Sequence, residues 1–299
     1  MNKKYTAENI IFTTLNTLFL ILLSAMMLYP LLNTLAISFN DGLDTVRGGI
    51  YLIPRMFSIQ SYRVVFKTGS IYNAFLISVA KTVVMVVTNL FFTAMLSYTI
   101  SRKEYVLSKI ITVIFVITMY FNAGLIPNYM LIKNLRLLNS FTVYWLPNIV
   151  SAFNLIVIRT YIKSIPESLI ESAKIDGAGE FRVFIRIILP LCVPTLATIA
   201  LFVAVGSWNS WFDTFLYNSS RQDLSTLQYE LQKLLASAMN AGSTTAQAVS
   251  SADQASRMAT TPQSIRAAIT IVTAVPILLV YPFLQRYFVT GLTIGGVKE

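Results

Sequence analysis

The chain contains no histidine, which excludes imidazole acid–base chemistry and histidine-ligated metal sites. Its single cysteine, Cys192, sits in an apolar run, so no intramolecular disulfide can form and the cysteine count says nothing about compartment. Charge is scarce too. Asp, Glu, Lys and Arg make up 12% of the 299 residues, about half of what a soluble domain carries. With 55% hydrophobic residues and a mean hydropathy of +0.65, the apolar surface exceeds what a water-soluble core can hide. Lipid is the solvent that removes the difficulty. The net charge of +10 is spread along short segments between apolar runs, which fits the positive-inside pattern better than nucleic-acid binding. No Gly-x-x-x-x-Gly-Lys-Ser/Thr phosphate loop occurs, so the chain cannot itself hold ATP in that way.

What is present is a series of long apolar runs. Residues 10–39, 74–101, 110–132, 141–158, 187–212 and 267–284 each approach or exceed the length of a bilayer crossing. Backbone groups in hydrocarbon must bond within their own segment, so these runs are expected to be helices. The expected fold is therefore an all-α integral membrane protein with six transmembrane helices, forming one domain over 1–299. Lys81 is the only charged residue in any run. It either snorkels to the outer surface or faces a cavity, where it could pair with an acidic sugar. The first run follows Lys3 and Lys4 but is too long for a signal-peptide core, so it reads as an uncleaved first span. The short pieces rich in Lys and Arg are the first ten residues, Arg102 to Lys109, Arg159 to Arg186 and the tail from Arg286. They place both termini inside, with a moderate bias.

Between the runs, residues 40–73 carry turn formers (Asn40-Asp41-Gly42, Gly48-Gly49, Pro54) and read as an ordered external loop. Residues 213–266 form a longer external loop. Within it Leu227, Leu231, Leu234, Leu235 and Met239 recur at helical spacing. The following Ala241 to Pro262 is of low complexity and reads as partly ordered. The loop is either a tolerated insertion or a docking element for an extracellular partner.

The most informative stretch is residues 164–190. Ser164 followed by Glu167 reads as a capping box that starts a helix. Gly177 after Asp176 reads as the C-cap that stops it. A second helix is expected from Glu180, with Phe181, Phe184, Ile185 and Ile188 on one face and Arg182 and Arg186 on another. Pro190 then marks the entry to the fifth run. Without further information this is an amphipathic interfacial linker.

The spacing, however, resembles the EAA loop of permeases in binding-protein-dependent ABC importers. That pattern is Glu-Ala-Ala, a Gly six positions after the Glu, and Ile-x-Leu-Pro after nine more residues. Here the positions are Glu171, Ser172, Ala173, Gly177, Ile187, Leu189 and Pro190, with Ser172 in place of the first Ala. Residues 121–127 (FNAGLIP), 206–211 (GSWNSW) and 291–298 (GLTIGGVK) are similar to the carbohydrate-uptake branch, the maltose-type inner-membrane subunits and especially the permeases of complex oligosaccharide systems. The resemblance covers nearly the whole chain.

It implies partners: two ATPase subunits that use ATP and Mg, a second related permease, and an extracellular solute-binding protein or lipoprotein that delivers an oligosaccharide. This chain would bind no cofactor. Glu171, Ser172, Ala173, Asp176, Gly177 and Arg182 would belong to the loop that couples to the ATPase, and Gly295 and Gly296 to a tail that also reaches it. Sugar passage needs polar and aromatic side chains inside the bundle. Candidates are Tyr120, Asn122, Asn148, Asn154, Trp208, Asn209 and Trp211. The same tryptophans would also suit an interfacial belt, and the same asparagines interhelical packing. An ion-coupled secondary transporter is the alternative, although none of the six runs contains Asp or Glu.

Overall fold

The computed structural model describes residues 7–67, 70–243 and 260–294. Among these no strand forms; a single antiparallel bridge joins Asn40 and Phe57. Among the described residues three helices are long and apolar enough to cross a membrane alone, and up to five crossings result if each of two bent helix pairs is one span. Backbone contacts divide the chain into two units, residues 1–69 with 233–275 and residues 70–232 with 276–299.

In the first unit, α1 (Ala7–Ser38) leaves Phe12, Phe19, Met26 and other large apolar side chains exposed, as expected of a helix whose solvent is lipid. The loop that follows is ordered, as its turn formers predict. Asn40 is fully buried at its centre. Its amide donates to Asp44 Oδ2 and Thr45 Oγ1, both at 3.1 Å, and its Oδ1 accepts from Met56 N at 2.9 Å. Asp41 caps α2 (Gly42–Val46), and α3 (Gln60–Lys67) closes the segment.

The second unit is organised by α4 (Ser70–Ser101), which packs on α7 (Ala152–Ser164) and α11 (Val193–Asn209). Between α4 and α7 lie α5 (Ser108–Tyr120) and α6 (Leu125–Asn134). The third run is thus broken. Gly124 has φ +87° and ψ 178°, a conformation open essentially to glycine alone. Asn122 Oδ1 accepts from Gly124 N at 2.8 Å, and the next helix carries Pro127 in its first turn, where a missing amide costs nothing. The fourth run begins with two 3₁₀ turns, Phe141–Tyr144 and Leu146–Asn148, bent by 49° from α7.

Beyond α7 come α8 (Glu167–Ile175) and α9 (Glu180–Val183). A π turn, Phe184–Ile188, and α10 (Leu189–Leu191) lead to α11 across a 79° bend. Pro190 and Pro194 explain both features: neither can donate, and each ring crowds the carbonyl four residues back. The widened turn leaves Val183, Phe184 and Ile188 buried while Phe181 and Ile185 are exposed. The expected face is therefore corrected by the π register. After α12 (Phe212–Tyr217) comes α13 (Leu227–Ser243), which buries Leu227 and Leu231 as its spacing predicts. The side chain of Met239 and most of the low-complexity stretch lie outside the described residues. Finally, α14 (Pro262–Ile294) spans the sixth run, with Pro276 and Pro282 inside it.

One face of α4 carries Ser78, Lys81, Asn89, Thr93 and Ser97, all buried, at steps of three, four or eight residues. Ser78 Oγ accepts from Leu227 N at 2.8 Å. Asn89 donates to Asn148 O at 2.8 Å and accepts from Asn154 Nδ2 at 3.3 Å, and Ser97 donates to Leu155 O at 3.0 Å. Lys81 does not snorkel. It is 2% exposed, 3.4 Å from Asp213 Oδ2 and 3.2 Å from Ser210 O, with its ammonium 4.9 Å from the centre of the Tyr144 ring. A buried cation needs such a partner, and Asp213 supplies it from one residue beyond the fifth run.

Interhelical hydrogen bonds in membrane proteins contribute about 0.6 kcal/mol each on average, whereas stranding a buried charge costs about 3–5 kcal/mol. The charge pair therefore dominates the stripe. Asp213→Leu is expected to lower stability by about that larger amount, because Lys81 is left buried alone. Lys81→Met should cost less, since Asp213 is one-third exposed, and the double substitution should recover most of the loss. Equal losses in both single variants, measured by SDS titration of the purified protein, would contradict this. In the same assay Phe184→Ala, which empties a fully buried site against Tyr98 and Phe91, should cost about 3–5 kcal/mol.

Candidate functional site

The candidate site has two parts, at opposite ends of α4. At its C-terminal end, α8 is a short helix with a buried back and an exposed front. Ile170 is 4% exposed and joins the core of Tyr98, Ile158, Ile162, Phe184 and Ile188. Glu171, Ser172, Asp176, Gly177 and, on α9, Arg182 are exposed, and Ala173 is half-buried beside that core. Ile175 stands 85% exposed at the tip.

The expected capping box is absent: Ser164 Oγ donates to Tyr161 O, and α8 begins after Pro166 with no side-chain cap. Proline forces the residue before it out of the helical region, so the boundary falls later than the Ser-x-x-Glu spacing implies. The other end is as predicted. Gly177 has φ +82°, Ala178 N donates to Ala173 O at 2.9 Å and Gly177 N to Lys174 O at 3.0 Å. This is a complete Schellman closure.

Ion pairs fasten this helix to the link between α4 and α5. Lys103 Nζ lies 2.5 Å from Glu167, and Lys174 Nζ 2.5 Å from Glu180 and 3.6 Å from Glu104. Tyr98 donates to Glu180 Oε2 at 2.5 Å. The hydrogen bond from Lys103 holds the Glu167 carboxyl below its ordinary range, and the bond to Glu180 raises the Lys174 ammonium. A depressed carboxyl remains charged at neutral pH, so the Lys103–Glu167 contact is complete there and is lost only as pH falls below the usual carboxylate range. Tyr98, Lys103, Glu104 and Glu180 were not among the sequence candidates. Nothing in their own spacing marks them; only folding brings the link after α4 against α8.

At the N-terminal half of α4 lies the Lys81–Asp213 pair. Ser210 Oγ also donates to Asp213 Oδ2, and Tyr144 donates to Thr214 Oγ1 at 3.1 Å and Leu224 O at 2.6 Å. Beside Asp213 is a cavity of about 330 Å³ whose wall includes Asn122, Asn128, Phe212 and Tyr217. Asp213 was missed because the apolar run ends at Phe212; a lone Lys81 in a span was the signal that a carboxylate should be sought nearby.

The proposed path residues separate. Asn122 lies on the cavity wall. Tyr120 is 81% exposed at the end of α5, and Asn148 is exposed, offering its backbone carbonyl to Asn89. Asn154 is buried and donates to Asn89 Oδ1 on α4 at 3.3 Å. Trp208 is buried, packs edge-on to Phe75 at 6.0 Å, and lines an apolar groove of about 490 Å³ with residues of α4 and α14. Asn209 is exposed and accepts from Gln228 at 3.2 Å. Trp211 is half-buried against Phe212 and Phe215. Gly295 and Gly296 lie outside the described residues. Among the described residues no cluster of acidic or cysteine side chains could hold a metal ion.

Comparison with known proteins places this arrangement. Residues 7–212 match the family described as binding-protein-dependent transport system inner membrane component. The chain is 34% identical over 291 residues to the polygalacturonan/rhamnogalacturonan transport system permease protein YtcP of Bacillus subtilis, covering 97% of this chain and 99% of the relative. It is 30% identical to the arabinooligosaccharides transport system permease protein AraQ of Halalkalibacterium halodurans, covering 90% and 91%. Among solved structures it is similar to a chain of a bacterial ABC transporter involved in the import of the acidic polysaccharide alginate. That match has a TM-score of 0.82 and 26% identity, and covers 96% of this chain and 100% of that one. The chain belongs to the inner-membrane components of binding-protein-dependent transport systems.

Proposed function

We propose that this chain is one permease subunit of an ATP-driven importer and that its cargo is an oligosaccharide delivered by an extracellular solute-binding protein. A second related permease completes the pathway. Two separate ATPase subunits bind ATP and Mg, and this chain holds no cofactor. The membrane is crossed six times: by α1, by α4, by α5 with α6, by the 3₁₀ turns with α7, by the Glu180–Leu191 segment with α11, and by α14. Both termini are inside. In support of that topology, the two basic links at 102–109 and 159–186 touch one another through Lys103, Glu104, Glu167 and Lys174, so they share one side of the membrane.

The observation that carries the reading is the two-sided character of α8. Its back is fixed in the core by Ile170, while Glu171, Ser172, Asp176 and Gly177 are exposed beside a bare Ile175. In this account the exposed face seats in a cleft of an ATPase, and Arg182 flanks it. Closure of the ATPases on ATP moves the helix as a rigid body and opens the pathway outward. The cargoes in the names of the relatives, polygalacturonan/rhamnogalacturonan and arabinooligosaccharides, support a saccharide substrate.

Reconstituted with its partners in proteoliposomes, the complex is expected to take up labelled oligogalacturonide or arabino-oligosaccharide only with ATP inside the compartment that holds the ATPases. Uptake that persists without ATP, driven by an ion gradient, would contradict the proposal. Gly177→Trp provides a second test. A Cβ added there meets nothing within 4 Å, Gly177 itself is exposed, and the left-handed backbone adds only about 1–2 kcal/mol of strain. The variant should therefore remain in the membrane yet lose ATPase co-purification or uptake by at least about tenfold, the effect of about 1.4 kcal/mol at the interface. Normal co-purification together with normal uptake would rule out this role for α8.

A further inference from the structure

The cavity beside Asp213 has a chemistry of its own. Its volume of about 330 Å³ is at the low end of small-molecule sites. Asp213 on its wall is held in an unusual way. Oδ2 receives both Lys81 and Ser210, whereas Oδ1 has no hydrogen-bond partner among the described residues, and the side chain is one-third exposed. The carboxylate is thus anchored by one oxygen and presents the other. Lys81, 2% exposed behind it, is committed to that anchorage and offers no charge to the cavity.

The remaining wall fits the same kind of ligand. Asn122 has its Oδ1 engaged by Gly124 N, which leaves its NH₂ group as the available donor. Asn128 is exposed on the first turns of α6. Phe212 is 41% exposed, and Tyr217 is stacked on Tyr129 at 6.2 Å, so an apolar aromatic surface adjoins the polar one. A rigid carboxylate oxygen accepts strongly from hydroxyl donors, and the aromatic surface suits the C–H face of a ring.

We propose that this cavity is a subsite for the hydroxyl edge of one sugar ring, with Asp213 as acceptor, Asn122 and Asn128 as polar flanks and Phe212 and Tyr217 as the apolar floor. This deepens, and rests on, the import reading. It assigns Asp213 to uncharged hydroxyls. A carboxylate on the cargo is turned away from this wall, because it would face Asp213 with no Lys or Arg among the described residues of the lining. Any preference for acidic saccharides is set elsewhere in the importer.

The test uses the complete importer in proteoliposomes at saturating binding protein. Two probes are compared, trigalacturonate and the same trisaccharide with its carboxyl groups reduced to alcohols. The ratio of saccharide carried to ATP hydrolysed is read for wild type, for the double variant Lys81→Met/Asp213→Leu, which removes the pair without stranding a charge, and for Asn128→Trp, which fills the cavity from an exposed position. The ratio should fall about tenfold or more in both variants, the loss expected for a hydrogen bond to a charged acceptor, and by the same factor on every probe that wild type carries. An unchanged ratio in an active complex, including a parallel loss of uptake and hydrolysis, overturns the subsite and makes the pair structural. A fall confined to the acidic probe also overturns it. A wild-type complex that carries neither probe with ATP contradicts the import reading itself.

Discussion

Polar side chains buried in a membrane helix gain from partners inside the protein, and in the stripe along α4 Ser78, Lys81, Asn89 and Ser97 have them, whereas Thr93 Oγ1 has no hydrogen-bond partner among the described residues. Each partner sits on a different part of the second unit. Ser78 holds the start of α13, Lys81 the turn into α12, Asn89 both the 3₁₀ segment and α7, and Ser97 the first turn of α7. Tyr98 at the end of the helix holds Glu180. A hydrophobic core alone would not specify these neighbours, because lipid tails are as apolar as leucine side chains. Hydrogen-bond satisfaction sets the register instead, and the charge pair sets it most strongly.

The same stripe links the two parts of the candidate site. One end of α4 is fastened to the loop that carries Glu171 to Gly177, and the other end positions Asp213 on the wall of a cavity. Between them run α4, α7 and a continuous core through Ile158, Phe184 and Ile199. Force applied to α8 is therefore carried by packed helices and ion pairs rather than by a flexible tether, which is what coupling by rigid-body motion needs.

Much of this was legible in the sequence. Long uncharged runs marked the helices, Gly177 marked the end of α8, and the EAA-like spacing marked the loop. What was not legible has definite physical causes. Glycine and proline broke the third and fifth runs in ways that hydropathy does not register, since Gly124, Pro190 and Pro194 act through backbone geometry. The capping box failed because Pro166 moved the helix start. Lys81 was left between snorkelling and facing a cavity because its carboxylate lies 132 residues away in sequence and just outside an apolar run. The polar period of α4 was visible in principle: Ser78, Lys81, Asn89, Thr93 and Ser97 share one helical face. Its partners were not, because they depend on tertiary contacts.

In the importer proposed above, α8 and the end of α4 are expected to move as one body when the ATPases act. Spin labels on exposed Ser168 of α8 and on Val106, 89% exposed in the link after α4, report that directly. The distance between them, measured in the assembled importer with and without ATP, should stay within about 1–2 Å. A change approaching one helical turn, about 5 Å, would show that α8 slides against α4 and would contradict the account.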